Sequence, residues 1–154
     1  MSTNDPNETV FYNSRYRFGV DAKRRVQIPA KWRSDKGETH FFLILWPKGN
    51  QQEACLLALP PGQWSNLVKK LSELPFADPK TETLRRLVGT KSDKVTLDKV
   101  GRICLPDWMA KAAGLEKEAV LVGLVDRFQI WNPERYEATS VVDEQLSGEA
   151  FQLV

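Results

Sequence analysis

The chain carries 154 residues, 42% of them hydrophobic and 27% charged, with a formal net charge of +2. That balance suits one compact domain or two closely packed halves of a globular protein rather than a disordered or membrane one. The apolar runs at 41–46 and 119–125 are far shorter than the roughly 20 residues that cross a bilayer, so neither a span nor a membrane partner is expected.

Residues 1–9 are polar and mildly acidic and lack the basic start and apolar run of a secretion signal, and residues 1–14 are expected to form a flexible leader of a cytosolic protein. Residues 15–61 follow as one unit. Phe18 and Val20 alternate before the polar D-A-K-R-R stretch, and Val26 and Ile28 alternate after it, which predicts strand, turn, strand in a tight hairpin. Pro29 fits the start of a short helix, about two turns long, that stops at Gly37 and holds Trp32 in the core. F-F-L-I-L-W and A-C-L-L-A-L predict two more strands, with the single histidine, His40, at a strand edge and Cys55 as a small packed side chain.

Residues 62–89 are expected to be linking helices. Trp64, Leu67, Val68, Leu71 and Leu74 make a stripe at helical spacing suited to core or subunit contact, and T-E-T-L-R-R-L-V predicts a second helix. Residues 90–137 repeat the earlier grammar: Val95 and Leu97, a turn, Ile103 and Leu105, then Pro106 and a short helix with Trp108 in the core, closed by a left-handed cap at Gly114-Leu115. Cys104 is expected to pack as Cys55 does, A-V-L-V-G-L and F-Q-I-W supply the last strands, and Pro133 introduces a helix. Residues 138–154, with Asp143, Glu144 and Glu149, form a tail that is either helical or a loosely held end.

The repetition is exact in spacing. V-D-A-K-R-R-V-Q-I-P at 20–29 and L-D-K-V-G-R-I-C-L-P at 97–106 both read apolar-Asp-x-x-x-Arg-apolar-x-apolar-Pro, offset by 98 − 21 = 77 residues. Each copy is too small to bury a core alone, so the halves must complete each other. Charge is unevenly shared: residues 15–36 hold eight basic and two acidic side chains, a local balance of +6, which leaves −4 for the remainder. A chain that meets phosphate with one face would show this asymmetry, as would a solvated basic loop.

Within the motif, Asp21 can hold Arg25 across the turn and Asp98 can hold Arg102, which fixes the loop and also prepares a guanidinium for phosphate oxygens or the guanine edge. An enzyme is disfavoured by one histidine, no Ser-His-Asp order, no phosphate-binding G-x-x-x-x-G-K-[ST] and no carboxylate pair in a recognisable pocket motif, and a disulfide or zinc framework by the lack of a C-x-x-C pair. No cofactor, metal or small-molecule substrate is therefore expected.

Two copies of D-x-x-x-R, then C-L-L-A-L-P-P-G-Q-W, then A-G-L-E-K-E-A-V-L-V-G-L-V-D-R-F-Q-I-W together resemble the MraZ family of bacterial transcription regulators over residues 11–136. The resemblance implies an α+β fold of tandem SpoVT/AbrB-like half-barrels forming one pseudo-two-fold swapped-hairpin barrel with peripheral helices. It implies a nucleoid-associated, ring-forming protein that binds direct repeats in the promoter of the cell-division and cell-wall gene cluster, its own promoter included. Carried over by position, Arg25 and Arg102 become the leading DNA contacts, with Lys23, Arg24 and Lys99 beside them and Asp21, Asp98 and Gly101 as structural residues of the loops. Arg24 stands where the family has glycine, so the first turn either differs in shape or strains an arginine. Arg15 and Arg17 extend the patch or serve as solvated edge charges. The same half-barrel also supports antitoxin-like protein binding, against which the duplication argues.

Overall fold

The computed structural model describes residues 10–34, 39–47 and 54–154. In chain order the elements are β1 (Arg15–Gly19), β2 (Arg25–Gln27), β3 (His40–Pro47), β4 (Ala54–Leu59), α1 (Pro61–Ser72), α2 (Pro79–Thr90), β5 (Ser92–Thr96), β6 (Arg102–Cys104), α3 (Asp107–Ala112), β7 (Glu118–Gly123), β8 (Phe128–Trp131) and α4 (Pro133–Phe151). The fold is α+β, with antiparallel strands throughout.

Six strands form an open sheet in the order β1-β7-β8-β4-β3-β5, and β2 and β6 form a separate ribbon. Exchanging the halves maps this order onto itself: β1 and β5 lie 77 residues apart, as do β2 and β6. The first strand of each copy pairs with a strand of the other, β1 with β7 and β5 with β3. In the ribbon Arg25 opposes Cys104, Val26 opposes Ile103, and Gln27 opposes Arg102. The local hairpin expected at each motif is thus corrected. Its two arms part above the loop and each pairs across the molecular pseudo-axis, an arrangement in which Val26 and Ile103 face each other and are completely buried.

The ribbon packs on the sheet through one shared core that includes Val26, Ile28, Ile103 and Leu105 with Phe41, Leu43, Leu56 and Phe128. Tyr12 joins it, its backbone bonded both ways to Val125 at 2.8 and 3.0 Å, so packing begins within the expected leader; residues 1–9 lie outside the described residues.

Helix calculus differs between the copies. After Pro29 there is a single 3-10 turn, Ala30–Trp32, rather than two helical turns, and Arg33 is already extended; the expected stop at Gly37 lies outside the described residues. Trp32 is 1% exposed and its indole N–H donates to Asn13 O at 3.0 Å. Trp108 is 43% exposed, which corrects its assignment to the core: Met109, fully buried and 77 residues from Trp32, takes that place. The cap after α3 forms as expected, with Gly114 at φ +69° and Leu115 N bonded to Ala110 O at 2.8 Å. Of the Trp64 stripe only Leu71 is buried, while Phe42 stacks on Trp64 at 4.5 Å between centroids. The tail is the continuation of α4, which starts at Pro133, is capped by Asn132 Oδ1 accepting from Arg135 N at 3.0 Å, and buries none of its residues. No helix among the described residues is long and apolar enough to cross a membrane.

Candidate nucleic-acid interface

Each D-x-x-x-R segment closes a three-residue loop. Asp21 N donates to Arg25 O at 3.2 Å and Arg24 N to Asp21 O at 2.9 Å; in the second copy Asp98 N donates to Arg102 O at 2.8 Å and Gly101 N to Asp98 O at 3.1 Å. This geometry places the third loop residue in the left-handed region, at φ +60° for Arg24 and +83° for Gly101. Glycine adopts it freely, and Arg24 does so against the Cβ clash of an L-residue. The first turn therefore keeps the shape of the second, and the arginine bears the strain.

The aspartates knit these loops from inside. Asp21 Oδ1 accepts from Lys23 N and Arg25 N, both at 2.9 Å, and Oδ2 accepts from Arg25 Nε at 2.6 Å. Asp98 repeats the pattern with Val100 N at 3.0 Å, Arg102 N at 2.9 Å and Arg102 Nε at 2.9 Å. The backbone N–H of Arg25 holds the Asp21 carboxyl below its ordinary value of 3.8, and the backbone N–H of Arg102 does so for Asp98. Because each carboxylate takes only Nε, both terminal nitrogens of each arginine lack an acceptor among the described residues, and 33% of the Arg25 and 32% of the Arg102 side chain is exposed. Four of the five guanidinium donors are left for a planar or phosphate acceptor. Lys23 and Lys99 are exposed beside them.

Residues that sequence reasoning missed hold each loop from the opposite copy. Gln27 Nε2 donates to Val100 O at 3.0 Å, and the equivalent residue 77 positions on, Cys104, donates its thiol to Lys23 O at 3.3 Å. Cys104 is exposed on the ribbon rather than packed inside, whereas Cys55 is buried, which pushes its thiol up to about 12. Leu105 N bonds Arg24 O at 2.8 Å and Ile28 N bonds Gly101 O at 2.9 Å. The equal offset of Gln27 and Cys104 in the duplicated motif was the available signal.

Not all of the basic cluster is equivalent. Arg24 Nε donates to Leu105 O at 3.1 Å and Nη1 lies 3.8 Å from Asp107. Arg17 pairs with Glu118 on β7, Nε to Oε2 at 2.7 Å, and the Arg15 guanidinium lies 5.8 Å from the Tyr136 ring centre. Both sit on the edge strand β1, apart from the D-x-x-x-R loops in sequence and already engaged. His40 opens β3 opposite Thr96, and no cluster of metal-ligating side chains occurs among the described residues.

Duplicated halves that share one ribbon and present two carboxylate-held arginines define a class of paired-loop α+β proteins. The chain belongs to the MraZ family: the family described as "MraZ protein, putative antitoxin-like" matches residues 11–87 and 90–150. Similar relatives named "Transcriptional regulator MraZ" include one from Acetivibrio thermocellus, 37% identical over 141 residues that cover 92% of this chain and 93% of the relative. Another, from Acidithiobacillus ferrooxidans, is 31% identical over 89% of this chain and 91% of its own length. That of Halothermothrix orenii is 33% identical over 81% and 83% respectively.

Proposed function

We propose that this protein is a sequence-specific, DNA-binding transcription regulator that reads double-stranded promoter DNA with the loops at 21–25 and 98–102. One observation carries the reading: in both loops an aspartate grips arginine at Nε alone and leaves the terminal nitrogens without an acceptor. Pre-oriented guanidinium groups of this kind suit the N7 and O6 acceptors of guanine and phosphate oxygens alike. Lys23 and Lys99 supply phosphate contacts, Arg24 adds charge while clamping the halves, and Arg15 and Arg17 act as edge charges. The relatives' shared name supports regulation of transcription.

The finer reading follows the family. The sheet and ribbon form a pseudo-two-fold swapped-hairpin barrel, copies of the chain close into a ring, and the ring sits on direct repeats upstream of cell-division and cell-wall genes, its own among them, in the nucleoid of the cytoplasm. Footprinting on the DNA upstream of this protein's gene tests it. Protection at regularly spaced repeats is the expected result, and uniform, sequence-indifferent protection would refute it.

A further inference from the structure

Loop two lacks the arginine that loop one carries at its third position, yet a guanidinium stands there. Arg33, which follows the 3-10 turn of the first copy, crosses to Gly101: a Cβ at Gly101 would lie 2.6 Å from Arg33 Cζ and 3.0 Å from its Cδ, and closer still to Nη1. The space belonging to a side chain at residue 101 is filled by a cation from the opposite half. Arg24, in the equivalent place, has Leu105 O and Asp107 as partners. Arg33 has none: its side chain makes no ion pair or hydrogen bond among the described residues, and its Nε is buried without an acceptor. Asp98, the carboxylate of that loop, is committed to Arg102.

A half-buried cation with no counter-charge among the described residues is costly to retain, and an anion arriving at the loop would relieve that cost. We propose that Arg33 is a further nucleic-acid contact, supplying to loop two in trans a phosphodiester-binding guanidinium that offsets its having Gly101 where loop one has Arg24. The inference rests on the DNA-binding reading of the loops and deepens it. It makes the second loop a composite of both halves: Asp98, Lys99 and Arg102 from one, Arg33 and the Gln27 prop from the other.

The test measures binding of duplex DNA from upstream of the protein's own gene across a salt series, for the wild type, Arg33→Gln, Arg33→Lys and Arg25→Ala. Arg33→Gln is expected to weaken binding roughly tenfold per engaged loop, as loss of one charge-assisted contact would, and to reduce the slope of log K against log salt by about 0.9 per engaged loop. Arg33→Lys keeps the charge and is expected to keep the slope. If Arg25→Ala weakens binding while Arg33→Gln leaves the slope unchanged, with or without a loss of affinity, Arg33 is at most a packing residue and the proposal fails although the DNA reading stands. A loss of slope in Arg33→Lys as large as in Arg33→Gln would also overturn it. Absence of wild-type binding would instead remove the DNA reading, and this inference with it. Thermal melts of each variant identify any that does not fold; if Arg33→Gln is among them, Arg33→Met, which keeps an apolar stem and removes the charge, replaces it with the same expected loss of slope and the same overturning result.

Discussion

Arg24 and Gly101 occupy one place in two copies of the same loop, at φ +60° and +83°. An L-residue pays about 1–2 kcal/mol for the left-handed conformation, and Arg24 offsets part of this with its bond to Leu105 O. Arg24→Gly relieves the strain and loses that bond, so its denaturant midpoint should stay close to wild type, whereas Arg24→Ala keeps the strain, loses the bond and should be less stable by about 1 kcal/mol. Gly101→Ala imposes the strain and pushes on Arg33, so a loss of at least about 1–2 kcal/mol is expected; a neutral Gly101→Ala would mean the loop can re-form elsewhere in φ. The aspartates give a pH signature. Because Asp21 and Asp98 are held below their ordinary 3.8 in the fold, their contribution is present above that value and fades as pH falls through the lowered one. Acid titration of stability should be shallower in Asp21→Asn/Asp98→Asn than in the wild type, and identical profiles would show that the loops do not couple to folding.

At the level of elements, the ribbon is what joins loop to core. Ile103 has no exposed surface and faces Val26, equally buried, so Ile103→Ala should cost about 2–5 kcal/mol while leaving every basic side chain in place. Chemical denaturation would measure it, and a cost below about 1 kcal/mol would mean that the two halves do not depend on the ribbon. Most elements were legible in the sequence because apolar alternation and proline punctuation are local signals: β3, β4, β7, β8 and the starts of α1 and α4 fall where those signals put them. Pairing was not legible, since Phe18 and Val26 alternate in the same way whether β1 meets β2 or crosses to β7. Trp108 shows the other limit. Its offset from Trp32 is 76, and the true 77-residue equivalent is Met109, a residue with no resemblance to tryptophan that fills the same buried position. Within the loops, the Asp–Arg pairs could be read from spacing, but the Arg33 crossing could not, because it links residues 68 positions apart (101 − 33) through folding alone.

For the whole molecule, charge and copy number together decide how tightly DNA can be held. Counted from its own residues, loop one carries Lys23, Arg24 and Arg25 where loop two carries Lys99 and Arg102 and borrows Arg33, so Arg25→Ala should weaken promoter binding at least as much as Arg102→Ala. One chain offers two loops, and a few phosphate contacts give weak, salt-sensitive binding. Linking several chains raises the effective concentration of each further loop at neighbouring repeats and so multiplies affinity without any new contact. Salt dependence counts the loops involved: a substitution is present in every copy, so Arg25→Ala should lower the slope of log K against log salt by about 0.9 for each engaged loop. For a multi-subunit assembly the drop is expected to be about 2 or more, and for a single chain about 0.9. Mass photometry at the same concentrations supplies the independent count of subunits. Agreement between that count and the slope change supports multivalent reading of repeats, whereas tight, specific binding by particles of monomer mass, with a single-loop slope change, would overturn it.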